Sequence, residues 1–107
     1  MVDSSAVSEL VQEARDLMPV GGFGLYEFVW TLNGTHPAMS DPEKLAAAKA
    51  ALAILIEEDH ARIVLYGWPP KSELGELALP DITDSHFKSP EDVLPYAAVV
   101  PSDTASP

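Results

Sequence analysis

Apolar residues recur at spacings of three and four near the start of the chain, at Val7, Leu10, Val11, Ala14, Leu17 and Met18. That period predicts an amphipathic helix over Asp3 to Met18, with Glu9, Glu13 and Asp16 mostly off the apolar face. Pro19 and the pair Gly21-Gly22 predict its end. Leu25, Phe28, Val29 and Leu32 predict a second helix, although the aromatic and β-branched content also suits a strand. Asn33-Gly34 then predicts a left-handed C-terminal cap. Gly21-Gly22-Phe23-Gly24, between the two helices, lacks the Lys-Ser or Lys-Thr of a phosphate-binding loop and reads as a turn.

Ser40-Asp41-Pro42-Glu43 is the strongest local signal: a capping residue, an early proline and a Glu three residues on announce a helix start. Leu45, Ala48, Leu52, Leu55 and Ile56 then share one side, and the helix should stop near Glu58 to His60. Arg62 to Trp68 is β-branched and aromatic and predicts a strand that Pro69-Pro70 breaks. Alternation sets Ile63, Leu65 and Gly67 against Val64, Tyr66 and Trp68. A polar connection through Ser72 and Glu73 leads to Leu77-Ala78-Leu79, which predicts the returning strand. Ser89-Pro90-Glu91-Asp92 repeats the cap-plus-proline signature and predicts a short helix before Pro95. Residues 101–107 read as a frayed tail behind a single domain over residues 1–100.

Three helices followed by strand, turn and strand is the order of a winged helix. Leu25-Tyr26-Glu27-Phe28-Val29-Trp30, the run Leu45 to Ile56, and Glu57 through Tyr66 together resemble small bacterial winged-helix proteins, over residues 5 to 80. The glycine usual between third helix and wing is missing, and Asp59-His60 stands in its place. The resemblance implies a mainly α fold with a small β-hairpin: three helices, a two-stranded wing and a short C-terminal helix. It also implies DNA binding by analogy, although a fold does not fix a function.

Charge changes that picture. Seventeen Asp and Glu against six Lys and Arg leave a net charge of -11 on 107 residues. Such a polyanion repels phosphate backbones and anionic membranes and attracts basic surfaces. The third helix offers only Lys44 and Lys49 among alanines, closed off by Glu57, Glu58 and Asp59, and the wing offers Lys71. A DNA reader needs a cation for each phosphate it contacts, so this chain is poorly equipped to be one. No apolar run approaches the ~18 residues of a membrane span, and the first residues carry no basic, then apolar, leader. The expected setting is cytoplasmic. Hydrophobic content of 47% and eight aromatic residues argue for a packed core despite the charge.

Candidate chemistry is sparse. With no Cys there is no thiolate nucleophile or disulfide framework, and no Ser sits in a Gly-flanked elbow. His36, His60 and His86 show no diagnostic metal spacing, although Glu57 with His60 would share a helical face. The expectation is a non-catalytic protein without cofactor or metal. Glu57, Glu58 and Asp59 form an acidic patch that the helix dipole disfavours, which points either to a contact role or to a tolerated solvated end. Tyr66 and Trp68 add the residue types that most often anchor interfaces, or else pack under the C-terminal segment. Ala46, Ala47, Ala50 and Ala51 suit either a close helix seam in a homodimer or plain helix formation. The expected function is an acidic module that binds a basic protein, in its sharpest form an immunity or antitoxin protein. A winged-helix transcription protein binding DNA weakly or as a dimer, or an acidic nucleic-acid mimic, is the alternative.

Overall fold

A computed structural model describes residues 4–67, 72–88 and 96–101. The elements in chain order are α1 (Ser4–Gly21), β1 (Phe23–Gly24), α2 (Leu25–Thr35), α3 (Asp41–Asp59), β2 (Arg62–Gly67), β3 (Ser72–Leu77) and β4 (Tyr96–Val100). Two 3-10 turns, Leu79–Asp81 and Asp84–Phe87, lie between β3 and β4. The protein is mainly helical with a small antiparallel sheet.

Helix α1 continues through Pro19, which forfeits one bond of the last turn. The helix closes two residues later, where the Gly22 N–H donates to the Met18 carbonyl at 2.9 Å and Gly22 takes a φ of +84°. A Cβ at Gly22 would also press on Val100 Cγ1 at 3.2 Å. Leu17, assigned by its spacing to the apolar face, is exposed at the rim. Helix α2 runs past the expected cap, so Asn33-Gly34 forms its last turn and not a left-handed stop. The reason is tertiary: Asn33 Oδ1 accepts a hydrogen bond from the buried Lys44 Nζ at 2.7 Å, which ties that turn to α3.

Helix α3 starts where the sequence places it. Ser40 Oγ accepts from the Glu43 N–H at 3.3 Å while Glu43 Oε1 accepts from the Ser40 N–H at 3.0 Å, a reciprocal capping box. It ends at Asp59, and His60 takes the left-handed conformation, φ 55°, that glycine usually supplies.

Among the described residues the sheet has four strands in the order β1-β4-β2-β3, not the expected two. The β2–β3 hairpin forms, but its second strand is Ser72–Leu77, earlier than Leu77-Ala78-Leu79, and Leu79-Pro80-Asp81 is a 3-10 turn. An edge strand with one face in water carries too few apolar residues to be read from periodicity. Strand β4 lies between β1 and β2, pairing antiparallel with both. No strand was expected there, although Tyr96-Ala97-Ala98-Val99-Val100 is an apolar run bounded by Pro95 and Pro101. The helix expected from Ser89 to Pro95 and the tail over 102–107 lie outside the described residues.

One row of the core crosses the inner sheet face, with Phe23 opposite Val99, Val99 opposite Ile63 and Ile63 opposite Leu77. Leu10, Leu25, Phe28, Leu32, Leu52 and Leu55 from the helices close over it. Phe23 and Phe28 meet edge to face with ring centroids 4.9 Å apart. Burying a side chain of this size stabilises the fold by about 1.5–3 kcal/mol. Of the alanines weighed for a homodimer seam or plain helix formation, Ala47 and Ala51 are fully buried, as are Ala6 and Ala14 of α1. Small residues on both helices allow a close α1–α3 approach, and Ala47 and Ala51 pack in the core, while Ala46 and Ala50 are half-buried.

Candidate functional site

Helix α3 delivers Glu57, Glu58 and Asp59 to one end of the molecule, directly before β2. Arg15 of α1 meets them there. Its Nε and Nη2 donate to the two oxygens of Asp59 at 2.9 and 2.8 Å, and Nη2 reaches Glu58 Oε1 at 3.3 Å. The hydrogen bond to Asp59 is the main reason that the guanidinium pKa is raised further. The guanidinium thus offsets the unfavourable placement of carboxylates at a helix C-terminus. Asp59 is engaged within the chain, while Glu57 and Glu58 face water.

Tyr66 lies four residues from Arg62 along β2, about 13 Å at the usual rise of a strand. The acids and the aromatic residue are therefore separated, not joined in one patch. Trp68 lies outside the described residues.

Tyr66 joins a different group. It stands opposite Tyr96 in the β2–β4 register, with ring centroids 5.6 Å apart. Tyr96 meets Tyr26 of α2 at 6.1 Å, and Tyr26 meets Trp30, one helical turn on, edge to face at 4.8 Å. The result is a continuous aromatic strip, Tyr66–Tyr96–Tyr26–Trp30, drawn from two strands and a helix. Trp30 at its end is 54% exposed. Tyr26, Trp30 and Tyr96 were not singled out by the sequence, because only the β4 register brings them beside Tyr66.

Two backbone features seat the strip. The Gly24 N–H donates to Glu27 Oε2 at 2.7 Å, which caps α2 and holds the carboxylate beside the rings. Gly24 has no Cβ, and one placed there would lie 2.4 Å from Tyr26 Cε1, so the tyrosine ring occupies that space. Burial, with the Glu27 charge, raises the hydroxyl pKa of both Tyr26 and Tyr96 above the ordinary value. Both phenols stay neutral hydrogen-bond donors well into alkaline conditions.

The cations are largely engaged within the chain. Lys49 pairs with Asp84 and Arg62 with Glu76, in addition to the Arg15 and Lys44 contacts. Lys88 is exposed, and Lys71 lies outside the described residues. The histidines serve local structure: His36 meets Glu9, His86 Nδ1 accepts from the Thr83 N–H at 2.8 Å, and His60 caps α3. No helix among the described residues is long and apolar enough to cross a membrane. Compared with protein-family models, curated proteins and solved structures, the chain matches none.

Proposed function

We propose that this protein is an acidic binding module for a basic protein partner, and that its contact face is the strip Trp30, Tyr26, Tyr96 and Tyr66. The observation that carries this reading is the half-exposed Trp30 at the end of a row of touching aromatic rings. Aromatic anchors dominate interface energetics, and a net charge of -11 speeds encounter with a cationic surface. Glu57 and Glu58 contribute to that long-range field, while Asp59 acts mainly within the fold. Direct nucleic-acid binding is disfavoured because Arg15, Lys44, Lys49 and Arg62 already have partners. The sharper form of the reading is an immunity or antitoxin protein that covers a basic toxin. We also read α1, β1, α2, α3, β2 and β3 as a winged-helix-like order to which β4 has been added.

Affinity capture from the source cell tests the reading, with wild type and Trp30→Ala as parallel baits at physiological salt. A basic chain held by the wild type and lost from Trp30→Ala is the expected result. Equal retention by both baits, or retention of duplex DNA in place of a basic chain, overturns it.

A further inference from the structure

The outer edge of β3 is the end of the sheet, and no described strand pairs with it. Glu73, Leu74, Gly75 and Glu76 are all exposed there. The β2–β3 register jumps between Leu65 and Tyr66: Gly75 faces Leu65 and Glu73 faces Tyr66, so Leu74 is the extra residue of a bulge. Without that bulge, residues 73 and 76 would point to opposite faces. With it, Glu73 lies beside Tyr66 and Glu76 beside Val64, on one face. The register then makes a row across the sheet, Glu73–Tyr66–Tyr96, that continues into Tyr26 and Trp30.

We infer that the partner binds by adding an extended, basic segment to the β3 edge, with Lys or Arg at two alternate positions facing Glu73 and Glu76. This rests on the reading of the aromatic strip as the contact face and deepens it. Main-chain hydrogen bonds to an open sheet edge supply sequence-independent affinity, and alternate side chains supply choice. Glu76 already accepts from Arg62 at 3.0 Å yet keeps 53% of its side chain exposed. A second copy of this chain is a poor occupant, because it brings a strand carrying the same two carboxylates against these.

Calorimetric titration with two synthetic octapeptides tests the inference. One alternates Arg and Val; the other has the same sequence with every backbone amide N-methylated, which keeps the charge and removes the donors. The first should bind at least tenfold tighter and slow amide exchange at residues 72–77 at least tenfold. Glu73→Lys should weaken it about tenfold and should confer binding of a Glu-Val octapeptide. Equal affinity of the two Arg-Val peptides, or no binding of either at millimolar concentration, overturns strand addition. Trp30-dependent capture of a basic chain in that same case would leave the binding-module reading standing, so the two failures are distinguishable.

Discussion

The C-terminal end of α3 and the aromatic strip lie at opposite ends of β2 and use their side chains in contrasting ways. At the helix end, three acids are adjacent in sequence, and one arginine from α1 ties down Asp59 and touches Glu58 while Glu57 and Glu58 stay in water. In the strip, Tyr66, Tyr96 and the Tyr26–Trp30 pair, far apart in sequence, are brought into one row that is half-buried at the tyrosines and exposed at Trp30. A loud local signal became scaffold, and a dispersed one became surface. Charge next to charge in a sequence says little about availability, because a single opposing side chain can close the cluster.

Replacing Gly24 with Ala should break the comparison most forcibly. The added Cβ collides with the Tyr26 ring at 2.4 Å, so the ring must leave the strip. A loss of about 1–3 kcal/mol is expected, together with reduced near-ultraviolet circular dichroism. The end of α3, which Gly24 does not touch, should keep its amide-exchange protection. A Gly24→Ala variant with unchanged dichroism would show that the strip does not depend on this close approach.

His60→Gly probes the opposite end. The left-handed φ of 55° costs a β-carbon-bearing residue about 1 kcal/mol, so glycine should raise stability by up to that amount. Urea unfolding should show a higher midpoint with an unchanged slope, and binding should not move.

Alkaline titration gives the smallest effect and separates the regions by pH. The folded state raises the pKa of Tyr26 and Tyr96, so it binds protons that the unfolded chain releases first. That stabilisation is fully present below the ordinary tyrosine value near 10 and declines as pH rises past it. Tyr26→Phe should flatten the decline in unfolding free energy above that point, read alongside phenolate absorbance. A decline equally steep in Tyr26→Phe would take this group out of the account.

Much of the helical frame was legible in the sequence because its signals are local. Ser40 and Glu43 cap α3 as their spacing demands, and Val7, Leu10, Val11 and Ala14 bury the face their period defines. Contacts distant in sequence escaped. Asn33-Gly34 carries the signature of a helix stop, and Lys44 from another helix overrides it. The second strand of the hairpin was placed too late because most of it lies in Ser72-Glu73-Leu74-Gly75-Glu76, where a bulge and a wet face erase the alternation. Tyr66 was singled out, yet its neighbours were not: the spacing of four sets Tyr26 and Trp30 on one helix face, but nothing local brings that face to positions 66 and 96. Asp59, one of the three candidate contact acids, pairs with Arg15 at 2.8 Å, a partner 44 positions away that its spacing does not announce.

Association and dissociation rates with the captured basic chain test the central claim most directly, for wild type, Trp30→Ala and the triple change Glu57→Ala, Glu58→Ala and Asp59→Ala. The strip as anchor predicts that Trp30→Ala speeds dissociation about 30-fold, roughly 2 kcal/mol. The acids as a distant field predict that the triple variant slows association at low salt and leaves dissociation within about threefold. Fast dissociation of the triple variant beside an unchanged rate for Trp30→Ala would contradict the account.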